Sequence, residues 1–198
     1  MPEASQGCEA AAQPPIRGAH GTVGPIGATG EDRPITAHDG AGMVRHYWDA
    51  VYRLLYRLSR DTHDTEDLTQ ETFLRALERA DTFQAGTDMR SWLLRIATNL
   101  FLDLCRRRKT SRAGELPCDP VDAGKPPGWV IQNAELGDLL GRAIARLPAA
   151  ARAVFVLRAQ EEMSFRDIGQ VIGATEETAR WHMMQARRAL MQDLEGKV

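Results

Sequence analysis

Long apolar runs are missing from this 198-residue chain. None approaches the ~20 residues that a bilayer-spanning helix needs, which excludes an α-helical membrane insertion. Cysteine is scarce. Cys8, Cys105 and Cys118 are an odd number at unrelated spacings, so neither a disulfide framework nor a CxxC metal site is encoded. A global basic excess is absent too: Lys+Arg 25 against Asp+Glu 27 gives a formal net charge of −2. Any argument for a polyanionic partner must therefore be local. The N-terminus lacks the basic start and apolar stretch of a secretory signal. Together these absences predict a cytoplasmic, reduced protein with no metal or cofactor. What remains is ordinary globular composition, 43% hydrophobic and 26% charged, which rules out collagen-like and wholly disordered chains.

Glycine and proline divide the chain. Residues 1–42 hold 8 of the 17 Gly and 5 of the 10 Pro, with few large apolar residues. Such a stretch buries too little surface to offset its ordering entropy and reads as a disordered tail. Residues 113–133 carry 4 Pro and 3 Gly and read as a linker. Between and after these lie two blocks nearly free of proline, 43–112 and 134–198. Charge divides the same way: −3 in the tail, +3 in the first block, −2 in the linker and zero in the last block. Much of the basic excess is Arg106, Arg107, Arg108, Lys109 and Arg112.

Both blocks have helical periodicity. Val44, Tyr47, Trp48, Val51, Leu55 and Leu58 recur at three- and four-residue spacing, as a buried helix face requires. Leu68, Thr72, Ala76 and Leu77 with Phe73 form a second stripe, beginning after the acidic cap region Asp64–Asp67, and Trp92, Ile96, Leu100 and Leu104 a third. Leu136, Leu139, Leu140, Ala143, Ile144 and Leu147 form a fourth, stopped by Pro148. No alternating strand pattern appears. The expected fold is all-α, two small helical domains joined by a flexible linker.

Within the last block, Ser164 is placed to cap a short helix over Phe165–Ile172, and Gly173 supplies a tight turn. Thr175 then caps a longer helix whose Ala179, Met183, Ala186 and Leu190 share one inward arc. Its opposite face carries Glu177, Trp181, Met184 and Arg188, with Arg180 and Arg187 on one flank. This is the layout of a DNA-binding helix-turn-helix, whose second helix enters the major groove. An ordinary αα-hairpin with a solvated polar face has the same spacing.

The stretch from Asp61 to Phe73 fails the calcium-loop template because no glycine follows its acidic positions. Acidic residues at a helix start are expected from the macrodipole alone. That does not account for Asp67, Gln70, Glu71 and Leu74, which fall at i, i+3, i+4 and i+7 and form a second face suited to a partner. The third helix ends in Cys105-Arg-Arg-Arg-Lys, a cluster of cations that dipole or phosphate can relieve. Asn99 and Asp103 share a face one turn apart on it, and the polar loop from Phe83 to Arg90 precedes it.

Asp64-Thr-Glu-Asp-Leu-Thr-Gln-Glu-Thr-Phe-Leu-Arg-Ala, with Arg90-Ser-Trp-Leu-Leu-Arg-Ile-Ala-Thr-Asn, Asp103 and the basic run, resembles region 2 of an extracytoplasmic-function (ECF) sigma factor of the sigma-70 family. Leu147-Pro148 with Arg152, Val154-Phe-Val-Leu-Arg158, Met163-Ser-Phe-Arg-Asp-Ile168 and Thr175-Glu-Glu-Thr-Ala-Arg180 resemble region 4. The resemblance implies a non-enzymatic protein that binds core RNA polymerase and directs initiation at promoter DNA. Asp67, Gln70, Glu71 and Leu74 would meet the β′ clamp helices, and region 4 the β flap. The loop Gln84–Arg90 with Met89, and then Arg95 and Asn99, would take the −10 element, with Arg106, Arg107, Arg108 and Lys109 on phosphates. Arg166, Thr178, Arg180, Trp181, His182, Arg187 and Arg188 would read the −35 element. An anti-sigma factor is a further implied partner. Trp181 and His182 depart from the common pattern, where a small residue and Arg are frequent. A linker of 21 residues reaches about 70 Å when extended, enough to span two promoter elements. A stand-alone helix-turn-helix regulator is the alternative. An enzyme is disfavoured, since no phosphate loop, nucleophile elbow or HExxH pair is present.

Overall fold

The computed structural model describes residues 37, 39–83, 88–111 and 134–195. Most of the expected tail, the linker, Gln84 to Thr87, Arg112, Cys8 and Cys118 lie outside them. Among the described residues there are seven α-helices and one short 3-10 turn, Ala80–Thr82, and no strand.

The first lobe comprises α1 (Gly40–Ser59), α2 (Thr62–Glu78) and α3 (Met89–Ser111). Asp39 starts α1 by accepting a hydrogen bond from the Gly42 amide at 3.0 Å. That cap lets the helix begin at Gly40, inside the glycine-rich stretch read as tail, because it satisfies an amide that glycine alone leaves orphaned. Asp61 caps α2, accepting from the Asp64 amide at 2.9 Å, so Asp64 to Asp67 are helical rather than a preceding cap region. Leu54, Leu55 and Leu58 of α1 meet Phe73 and Ala76 of α2 and Leu93, Ala97 and Phe101 of α3 in the core. Trp48 stacks on Phe73 with ring centroids 5.7 Å apart. The buried hydroxyls of Thr65, Thr69, Thr72 and Thr98 each donate to a carbonyl one turn earlier, at 2.6 to 2.8 Å, leaving no orphaned hydroxyl among these four.

The second lobe comprises α4 (Ala134–Ala145), α5 (Ala149–Ala159), α6 (Phe165–Ile172) and α7 (Glu176–Leu194). Ser164 and Thr175 cap α6 and α7 through the Asp167 and Thr178 amides, both at 3.1 Å. Gly173 closes α6 at φ 68°, the left-handed region that glycine enters without penalty. At Gly169 a Cβ would sit 2.9 Å from the Ala174 carbonyl oxygen, so glycine there permits the close turn. Ala179, Met183, Ala186 and Leu190 are all buried, as the inward arc requires.

The two lobes touch: α1 and α3 pack against α4, α5 and α6. Arg152 of α5 ties them. Its guanidinium donates to the Leu58 carbonyl at the end of α1 at 2.6 Å, to the Leu147 carbonyl at 3.1 Å, and to the Ala145 carbonyl. It also lies over the Phe101 ring, 5.7 Å from its centroid. Carbonyls at a helix C-terminus carry partial negative charge, which suits a cation. Burial lowers the Arg152 pKa, and the neighbouring Cys105 partly offsets this. Glu161, just beyond α5, is a second tie. Its side chain is 4% exposed, accepts from Arg90 of α3 and faces Arg57 of α1 at 3.7 Å. Desolvation lowers the Arg57 pKa, and the Glu161 carboxylate opposes that shift.

Candidate nucleic-acid and partner interfaces

The outward side of α2 is built by a strict division of the helix. Thr65, Leu68, Thr69, Thr72 and Ala76 point into the core, which turns Asp67, Gln70 and Leu74 to solvent. Leu74 is 57% exposed between polar neighbours. Glu71 is half-buried and accepts from Arg75 at 2.7 Å, and His63 lies 3.6 Å from Asp67. All four residues expected on a partner face are thus together on it. Leu77, grouped with the core stripe from the sequence, is instead exposed. At 100° per residue it falls a quarter-turn past Ala76 and widens the apolar strip beside Leu74.

The expected −10 set is divided. Arg95 and Asn99 lie one turn apart on α3 and are both half-buried, and burial lowers the Arg95 pKa. Arg106 is exposed and paired with Asp103. Arg107 and Lys109 are exposed. Two expectations need correction. Met89 is not a loop residue: it is the first residue of α3, 5% exposed and part of the core, because the apolar side of α3 already begins there. Arg108 is held by Asp64, with two hydrogen bonds of 2.6 Å to the two carboxylate oxygens. This bidentate fork anchors the end of α3 to the start of α2. Of the loop, Gln84 to Thr87 lie outside the described residues. Sequence reasoning missed Arg90 as the partner of Glu161, since the two stand 71 residues apart.

On α7 the outward face is confirmed residue by residue. Glu177, Trp181, Met184 and Arg188 are exposed, with Arg180 and Arg187 beside them. Thr178 is half-buried, its hydroxyl paired with Thr175 at 2.9 Å. Arg180 is held by Glu176 at 2.5 Å and lies 4.9 Å over the Phe165 ring. Arg158 faces the same ring at 5.2 Å. Arg166 is exposed at the start of α6. His182 turns to the side: it is half-buried, edge-on to Trp181 at 4.9 Å, and its Nδ1 is buried without a hydrogen-bond partner.

With this geometry in place, comparison with known proteins is decisive. The profile for sigma-70 region 2 matches residues 43–111 and that for sigma-70 region 4 matches residues 137–190. The chain belongs to the ECF sigma factors of the sigma-70 family. It is 42% identical over 166 residues to the ECF RNA polymerase sigma factor SigE of Mycolicibacterium smegmatis, covering 82% of this chain and 63% of that protein. It is 32% identical over 164 residues to SigW of Bacillus subtilis, covering 78% of this chain and 88% of SigW. In fold, this sigma factor resembles Bartonella quintana RpoE, solved with the anti-sigma factor NepR. The TM-score is 0.66 at 23% identity, over 81% of this chain and 99% of that one. CnrH, solved with the cytosolic domain of CnrY, gives a TM-score of 0.55 at 24% identity, over 81% and 90% of the two chains. Sigma factors are non-catalytic initiation factors that work with RNA polymerase at promoters. In this one, most of α1 with α2 and α3 falls in region 2, and α5, α6 and most of α4 and α7 in region 4. No helix among the described residues is long and apolar enough to cross a membrane.

Proposed function

We propose that this sigma factor grips core RNA polymerase through the outward face of α2 and addresses it to promoters through α3 and α7, performing no catalysis of its own. Its domains in this reading are 43–112 for polymerase and the −10 element and 134–198 for the −35 element and the β flap, with 113–133 as linker. One observation carries the reading most directly. Leu74 is 57% exposed amid Asp67, Gln70 and Glu71, on a helix whose other side is fully committed to the core. An apolar residue ringed by carboxylates and amides is the anatomy of a protein-docking patch, with an apolar centre and a polar rim. That patch would seat on the β′ clamp helices. Asn99 and Arg95 would then hold an extruded −10 base, whose unstacking costs a few kcal/mol, with Arg106, Arg107 and Lys109 offsetting the cost on phosphates. The protein would act in the cytoplasm, and the anti-sigma factor NepR bound to RpoE supports an anti-sigma factor as a third partner.

Glu71→Lys tests the polymerase face. The residue is half-exposed and outside the core, so the fold should lose about 0.5 kcal/mol or less, plus the modest Arg75 pair. Co-purification with core polymerase should fall at least tenfold. Unchanged affinity for core enzyme removes α2 from the interface.

A further inference from the structure

The outward face of α7 is unusual for a helix that meets a polyanion, because two large apolar side chains, Trp181 and Met184, stand on it between Glu177 and Arg188. The buried residues Ala179, Met183, Ala186 and Leu190 fix the opposite direction, and at 100° per residue Trp181 falls almost directly on it. Trp181 is 52% exposed and Met184, three residues on, 63%. Glu177, one turn before Trp181, shares a shallow open concavity with Trp181 and Thr178. A carboxylate at that point repels phosphate, which favours base edges over the backbone for this part of the face. Of the cations, Arg180 and Arg187 lie on one flank, and Arg188 lies on the same outward line as Trp181, two turns further along the helix. Arg180, the one nearest the start of the helix, already has its guanidinium on Glu176 and over Phe165. The guanidinium nearest the start of the helix is therefore engaged within the protein, and the outward-facing side chains of the first half of the helix are Glu177 and the apolar Trp181 and Met184.

The major groove offers one apolar feature, the C5-methyl group of thymine. In a helix-turn-helix the N-terminal residues of the second helix reach the base edges, which is where Glu177 and Trp181 stand, with Met184 in the next turn. We infer that Trp181, supported by Met184, is the residue that sets sequence preference in this protein, by packing on thymine methyl groups of the −35 duplex. The inference rests on the assignment of α7 to that duplex. The flanking arginines supply phosphate attraction, which positions the helix without carrying sequence information.

The test uses holoenzyme reconstituted from the full chain and core polymerase. A −35 sequence is first selected from random duplexes, and each thymine in it is then replaced by deoxyuridine, which removes only the methyl group. Burial of one methyl-sized group is worth about a fourfold change in affinity, so one or two positions should lose about fourfold each. Trp181→Ala should bind thymine and uracil templates equally, while Trp181→Phe keeps a preference for thymine. Circular dichroism should be unchanged in both variants, since the side chain is exposed. Wild-type holoenzyme indifferent to uracil at every position, or Trp181→Ala discriminating as well as wild type, overturns the inference alone. If scrambling the whole −35 segment changes nothing, the assignment of α7 to the duplex fails and the inference falls with it.

Discussion

Arg108 and Arg107 are neighbours in one basic run, yet the structure gives them opposite roles, and alanine at each separates them. Arg108 makes two 2.6 Å hydrogen bonds to Asp64, whose side chain is nearly buried. Hydrogen bonds to charged groups contribute about 1.5–3 kcal/mol, and removing one partner leaves the other to bear its desolvation. Because the Arg108 side chain is itself almost half exposed, solvent screens part of that, and the lower half of the range applies, about 2 kcal/mol. For a lobe of this size a loss of 1 kcal/mol moves the melting temperature by roughly 4–8 °C. Arg108→Ala should therefore melt about 8–16 °C early while its promoter affinity keeps the wild-type dependence on salt. Arg107→Ala should melt within about 2–4 °C of wild type, since exposed sites change stability by about 0.5 kcal/mol or less. Its log–log salt slope should fall by about 0.7–0.9, one phosphate contact. Thermal melts followed by circular dichroism, with holoenzyme–promoter titrations between 50 and about 200 mM salt, read both quantities. Arg108→Ala with wild-type melting and a slope reduced by one contact would refute the assignment.

Two further predictions follow from side chains that the fold has committed. Met89→Ala should cost about 2–5 kcal/mol as a core truncation, visible as a lowered urea midpoint; a wild-type midpoint with altered −10 base preference would return Met89 to the DNA. Glu161→Gln removes the carboxylate shared by Arg57 and Arg90 and should destabilise the packing of the two lobes by about 1–3 kcal/mol. Small-angle scattering should show a larger radius of gyration than wild type, and an unchanged radius with an unchanged melt would deny Glu161 that role.

Local patterns in the sequence proved legible and long-range pairings did not. The α6–turn–α7 unit was readable because Ser164, Gly173 and Thr175 act on amides and carbonyls within a few residues of themselves. The four inward residues of α7 likewise repeat at helical spacing. On α2 the same spacing located Asp67, Gln70, Glu71 and Leu74, but Leu77 was grouped with the inward stripe next to Ala76. A quarter-turn separates the two. Leu140, also grouped with a core stripe, is exposed in the structure. Asp64 and Arg108 are separated by 44 residues, Arg90 and Glu161 by 71. A pairing at that distance leaves no period in the chain, so Arg108 was grouped with its neighbours as a phosphate-binding cation. Met89 looked like loop because the polar run before it hides where α3 begins. The contact between lobes was invisible for the same reason: nothing near Arg152 in the sequence points to Leu58 and Phe101, which lie 94 and 51 residues before it.

Promoter-dependent transcription in vitro tests the central claim most directly. Purified full-length protein mixed with core polymerase and genomic DNA should start transcripts at a discrete set of sites sharing −35 and −10 sequences, and Glu71→Lys should abolish them. Failure to start transcripts at any discrete site, together with unaided occupancy of palindromic DNA by the protein alone, would contradict the account.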